Sequence, residues 1–303
     1  MESQIQLKQL STSFCPDLIS EGDGAKVRRY IGTHQNPSLD PFLMLDLGCS
    51  KLPVGFPDHP HRGFETVSYL LKGSFCHEDF TGRKGELHPG DVQWMTAGRG
   101  IVHSEMPMSF DEEASGFQLW VNLNKANKMC APRYQEIKSA EIPVYKDDTM
   151  SAKVIAGEVF GVKGPIEAVT PTYYIDFNMQ KNAEYEHVIP RDWNCMVIVH
   201  KGALIVQGNG KELTYGHCSV FKLNELQEEK VNIKSLRDDT GFILLAGKPL
   251  REPIAWKGPF VMNTKAEIDQ AFKDYFEGVN GFEGSRTWKS QNRNLKYGRS
   301  SSV

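Results

Sequence analysis

The stretch GFQLWVNLN alternates: Phe117, Leu119, Val121 and Leu123 face one way, Gln118, Trp120 and Asn122 the other. A period of two is that of a half-buried β-strand. ETVSYLLKGSF and PGDVQWMTAG are further strand-like runs, bounded by Gly and Pro-Gly-Asp turns. The second half repeats the style. TPTYYIDFNM places Tyr173, Ile175 and Phe177 on one face. NCMVIVHKGALIVQGNGKEL reads as two strands joined at His200-Lys201-Gly202, followed by a hairpin at Gly208 to Gly210; GHCSVFKL and TGFILLAGKPL are further strands. Val67–Phe75 and Met196–Val206 each run apolar, then Lys-Gly, then apolar. Two related β-domains follow from that parallel. One helix is well marked: Thr264 to Glu267 is a capping box, and Ile268, Ala271, Phe272, Tyr275 and Phe276 follow at helical spacing. It is expected to close on the β-core over about 264–277. The tail SQNRNLKYGRSSSV is polar and slightly basic, and its composition predicts disorder over 291–303.

Composition narrows the class. The 303 residues can build two ordinary domains. With 40% hydrophobic and 24% charged residues, mean hydropathy -0.43 and net charge -3, the chain reads as soluble and globular. Nothing in that balance supplies a general electrostatic grip on nucleic acid, so no direct nucleic-acid binding is expected. No run approaches the roughly 20 apolar residues of a membrane span, so no membrane role is expected, and the amino terminus has no signal-peptide core. The six cysteines are scattered, without a CxxC. They read as reduced and structural, in an intracellular protein.

Two short pairs carry the candidate chemistry. GFPDHPHRGFET holds His59 and His61; GRGIVHSEMP holds His103 and Glu105. On a strand, residues two apart share a face. If both strands line one barrel, three imidazoles and one carboxylate converge. Such a set suits a first-row transition metal with an open position, Fe, Cu, Ni or Mn rather than Mg or Ca. Zinc fits less well, because its structural sites are usually closed and sulfur-rich. A lone His-x-His is commonly a surface pair, and His77, Asp79 and His88 are rival ligands that spacing alone does not exclude.

The blocks GFPDHPHRGFETVSYLLKG, HEDFTGRKGELHPGDVQWMTAGRGIVHSEMP and FQLWVNL, with KPLREPIAWKGPFVMNT near the carboxyl end, resemble the pirin family of the cupin superfamily. The likeness spans roughly residues 5 to 290. It implies an all-β bicupin: two antiparallel β-barrel (jelly-roll) domains packed face to face, with a C-terminal helix. The expected division is 1–135 for a metal-binding barrel and 136–290 for a barrel without metal, whose His187, His200 and His217 are isolated. The implied ligands are His59, His61, His103 and Glu105, and the implied metal is one iron ion. His77 and Asp79 match a segment that does not ligate. Glu65 has the spacing of a ligand in other cupins; here it is expected behind the ligands or in a plain salt bridge. One departure is Asp46-Leu47-Gly48, where pirins commonly have Asp-Glu-Phe near the pocket entrance. It bears on substrate or partner preference.

The resemblance implies two roles. One is a flavonol (quercetin) 2,3-dioxygenase acting on a flavonol or similar small phenol, with Glu105 as general base. The other is a redox-sensing cofactor of transcription regulators of NF-κB or nuclear factor I type, in nucleus and cytoplasm, in which Arg28, Arg29 and Arg62 are candidate contacts. Those arginines read more readily as ordinary surface or salt-bridged side chains. A monomer is expected.

Overall fold

The computed structural model describes residues 5–22 and 24–297. The chain divides into two compact units.

One unit gathers Leu18–Gly32, Phe42–Ala140 and the segment from Leu250 onward. Its strands are β1 (Leu18–Glu21), β2 (Ala25–Ile31), β3 (Phe42–Ser50), β4 (Phe56–His61), β5 (Phe64–Lys72), β6 (Phe75–Asp79), β7 (Lys84–Leu87), β8 (Val92–Thr96), β9 (Ile101–Pro107), β10 (Ala114–Asn122) and β11 (Arg133–Ile137). They form a seven-stranded sheet in the order β11-β8-β5-β10-β3-β2-β1 and a four-stranded sheet in the order β4-β9-β6-β7. Sequence neighbours such as β4 and β5 lie in different sheets, which is the double-sheet logic of a jelly roll. The alternation of β10 is as read: Phe117, Leu119, Val121 and Leu123 are all buried.

The helix α1 (Lys265–Glu277) belongs to this same unit. Its capping box forms, with Glu267 N donating to Thr264 Oγ1 at 3.2 Å and Thr264 N donating to Glu267 Oε2 at 2.9 Å. Gly278 ends it at φ 71°, a left-handed cap that favours glycine. Ile268 and Ala271 pack with Val102, Phe260, Met262 and Phe282, whereas Phe276 is 67% exposed.

The second unit holds Thr33–Pro41, Glu141–Pro249 and the amino-terminal segment up to Asp17. A seven-stranded sheet and a five-stranded sheet enclose an apolar core that includes Ile175, Phe177, Val197, Leu204, Ile233 and Phe242. The hairpin read from the sequence joins Ala203–Val206 to Leu213–Thr214.

Two expectations are corrected here. The units are not the contiguous halves 1–135 and 136–290. Gln6–Leu7 and Leu10–Phe14 pair with Glu229–Ser235 and Cys218–Phe221, while α1 packs on the first barrel. Strand pairing and apolar contact decide membership, and neither is confined to a contiguous stretch. Part of the tail is also ordered. Asn292–Tyr297 forms a 3-10 turn with Asn292 buried, because its polar groups meet buried polar partners. Residues 298–303 lie outside the described residues. Among the described residues, no helix is long and apolar enough to cross a membrane.

Candidate metal centre

The two His-bearing strands are neighbours. β4 and β9 pair antiparallel with His103 opposite His59 and Ile101 opposite His61. A bulge follows, so that Glu105 faces Phe56. Pro57 and Pro60 cannot donate to the ladder, and bulges and edge strands are where proline is tolerated. Residues two apart then share the inner face. The rings of His59 and His61 stand 4.7 Å apart between centroids, His59 and His103 4.4 Å, and His61 and His103 5.0 Å. One nitrogen from each of the three lies within 4.8 Å of the others. Glu105 stands beside this trio rather than within it: its Oε2 is 3.9 Å from His103 Nε2, and Ser68 Oγ lies 3.1 Å from its Oε1.

The trio fits a metal. His59 Nδ1 donates to the Pro57 carbonyl at 2.8 Å, which leaves Nε2 with a free lone pair. A backbone carbonyl fixing the other nitrogen is the usual support of a ligating imidazole. His61 Nδ1 and both nitrogens of His103 are buried without a hydrogen-bond partner among the described residues. Buried polar atoms are seldom left so, and a cation would take up one nitrogen of each ring. The rings are also kept neutral. Burial first, then the His103 ring, brings His59 down to about 4; burial, then His77, brings His103 down to about 3. Burial takes His61 well below its usual value. Three neutral imidazoles beside a carboxylate can hold a metal ion.

The other predicted residues go elsewhere. His77 and Asp79 sit on β6 opposite Glu105 and His103, but His77 Nε2 lies 3.2 Å from Glu136. Asp79 Oδ1 accepts from Thr81 N, Thr81 Oγ1 and Arg83 N. His88 is exposed beside Glu86. Glu65 is fully buried and accepts from Thr96 Oγ1 at 2.7 Å. In the second unit, His187 bonds Tyr185, His200 bonds Asp176, and His217 bonds Thr214. Arg62 is buried, donating to Asp274, Asn280 and Arg99, and Arg29 is paired with Asp46 and Glu21. Neither presents a free basic face.

A cavity of about 440 Å³ opens on His59, His61 and Glu105. Its apolar wall includes Phe56, Trp120 and Trp256. One register row crosses the large sheet through Ser68, Gln118, Asp46 and Arg29, and all four line the cavity. Sequence reasoning missed the functional sense of this row. The signal was present in the polar face of β10, which looks into the cavity instead of into solvent. Asp46 and Gly48, of the segment that departs from the pirin pattern, also line it.

Comparison with known proteins agrees with this geometry. The family profile described as Pirin matches residues 24–121, and that of the Pirin C-terminal cupin domain matches 174–281. Mouse pirin is 48% identical over 273 residues, covering 90% of this chain and 93% of its own. The chain belongs to the pirin family. Human pirin is likewise 48% identical over 273 residues, and a pirin-like protein of Solanum lycopersicum is 48% identical over 274. Among solved structures, a quercetin 2,3-dioxygenase from Acinetobacter baumannii superposes with TM-score 0.80 at 32% identity, covering 90% of this chain and 98% of its own. A bacterial pirin from Escherichia coli shares the fold, with TM-score 0.62 at 19% identity over 78% of this chain and 99% of its own. Within the pirin family, then, this chain is a cupin protein with a three-histidine site suited to a metal ion.

Proposed function

We propose that this pirin-family protein is an iron-dependent dioxygenase of quercetin-like flavonols, with His59, His61, His103 and Glu105 as ligands of one iron ion. The observation that carries the reading is the cavity. At about 440 Å³ it falls in the roughly 300–1,000 Å³ range of small-molecule sites, and it reaches His59 and His61 of the imidazole trio together with Glu105. The similarity to a structure described as a quercetin 2,3-dioxygenase supports the same class.

The residues divide the work. The aromatic walls at Phe56, Trp120 and Trp256 suit a planar polyphenol and exclude water. The row of Ser68, Gln118, Asp46 and Arg29 offers hydrogen-bond partners to ring hydroxyls. When bound, the iron supplies the redox chemistry with O2 and makes a hydroxyl at its open position a stronger acid. Glu105 would accept the hydroxyl proton as general base, a role that needs only hydrogen-bond reach.

The same centre would serve as a redox sensor for transcription regulators of NF-κB or nuclear factor I type only through a surface other than Arg29 and Arg62. The deciding experiment follows quercetin loss when oxygen is admitted to anaerobically iron-loaded protein, beside His61→Ala. Turnover of about 1 s⁻¹ or faster, an ordinary enzyme rate, and lost in the variant, is expected. Turnover orders of magnitude slower, or equal in the variant, would overturn the enzymatic reading.

A further inference from the structure

Ser68 Oγ stands 3.1 Å from Glu105 Oε1 and 2.7 Å from Gln118 Oε1. A serine hydroxyl carries one proton, and an ionised carboxylate only accepts. Ser68 therefore cannot donate to both. The Gln118 amide resolves the conflict, because its oxygen and nitrogen exchange places by a half-turn. With Nε2 toward Ser68, Gln118 donates to the Ser68 oxygen and Ser68 donates to Glu105.

We infer that Gln118 and Ser68 are positioning residues for Glu105, a one-way chain of hydrogen bonds that anchors Oε1 on the large sheet and leaves Oε2 for the metal. Three placements support this. Ser68 and Gln118 are direct partners across β5 and β10, so both side chains leave the same face of the sheet. Both line the cavity with Glu105. Oε2, the oxygen left over, is the one 3.9 Å from His103 Nε2. The chain is needed because β9 fixes only the Cα of Glu105. A glutamate side chain turns about three bonds, and an unanchored carboxylate would lose rotamer freedom on binding metal.

The inference rests on Glu105 as the fourth ligand, and the test separates the two claims. Metal-free protein is titrated anaerobically with Fe(II) against a competing chelator, with tryptophan fluorescence as readout, since the Trp120 ring lies 5.3 Å from His61. Ser68→Ala is expected to weaken binding about tenfold or more, the usual effect of losing a support behind a ligand. Ser68→Thr, which keeps the hydroxyl, retains affinity. Gln118→Met weakens it less, and Ser68→Ala with Gln118→Met is no worse than Ser68→Ala alone, because the links act in series. Thermal midpoints of the metal-free variants stay together. Wild-type affinity in Ser68→Ala beside a weakened Glu105→Gln would overturn the chain and leave the ligand standing, and additive losses would also overturn it. Wild-type affinity in Glu105→Gln would remove the ligand and the chain together.

Discussion

His59 and His103 are direct partners across the β4–β9 ladder, and their ring centroids stand 4.4 Å apart. The ladder itself is made of backbone bonds, so the imidazoles can be cut away without removing a strand. His61→Ala and Glu105→Ala are therefore expected to fold and to lose metal. Elemental analysis beside thermal unfolding checks this. Full metal content in the purified variants would count against the ligand assignment.

The lowered histidines fix the sign of a pH effect in the metal-free protein. The unfolded chain protonates each ring near pH 6.5, but the folded chain protonates His59 only at about 4 and His103 at about 3. Between those values the unfolded state binds more protons, so stability rises with pH. The contribution is fully present above about 6.5 and is lost as pH falls through about 4 for His59 and about 3 for His103. Urea unfolding of metal-free protein at pH 7 and pH 5 should show a clear loss at the lower pH. His103→Gln should flatten that dependence. Equal slopes in the two proteins would speak against the neutral trio.

The period-two pattern placed β10, turn-bounded apolar runs placed β5 and β8, and both candidate pairs, His59/His61 and His103/Glu105, lie on strands. The His-x-His and His-x-Glu spacings found the inner face because alternation is local. What alternation does not carry is pairing across the chain. Nothing in Gln6–Phe14 says that it pairs with strands more than two hundred residues away, and nothing in α1 says which barrel it covers. Arg62 reads as a partner contact or an ordinary surface or salt-bridged side chain. It is buried because the chain from Leu250 onward covers that face. Gln118 reads as the polar side of a half-buried strand, yet that side, with Ser68 beside it, is the wall of a cavity.

Arg62 and Asp274 form an ion pair at 2.8 Å with both side chains at most 3% exposed. Arg62 also donates to the carbonyls of Arg99 and Asn280 and lies over the Phe282 ring. It follows His61 directly, so this pair pins α1 to the strand that carries His59 and His61. Removing one partner leaves an uncompensated buried charge, at a cost of about 3–5 kcal/mol. Arg62→Ala is expected to lose stability of that order in urea unfolding. Arg62→Lys should recover only part of it, since one ammonium cannot reproduce the fork of three contacts. A loss below about 1 kcal/mol, as for an exposed pair, would show that α1 is held by apolar contact alone.

Asn292 completes the outer side of the same sheet. Ser104, between His103 and Glu105, donates its hydroxyl to Asn292 Oδ1 at 2.7 Å. The Asn292 amide reaches the carbonyls of Cys76 and Ser104 at 3.4 Å, and its backbone N–H donates to Glu78 at 3.2 Å. The strands that point His103 and Glu105 inward thus present Ser104 and Glu78 outward to the carboxyl-terminal segment. Asn292→Ala strands the buried Ser104 hydroxyl, which costs about 1–3 kcal/mol. The variant should unfold at lower urea by that amount, while Asn294→Ala serves as the control two residues on. Hydrogen exchange should quicken first at the amides of β6 and β9, because their outer face loses its partner. Unchanged exchange there, with stability lost elsewhere, would mean that the turn at Asn292–Tyr297 rests on the sheet without supporting it.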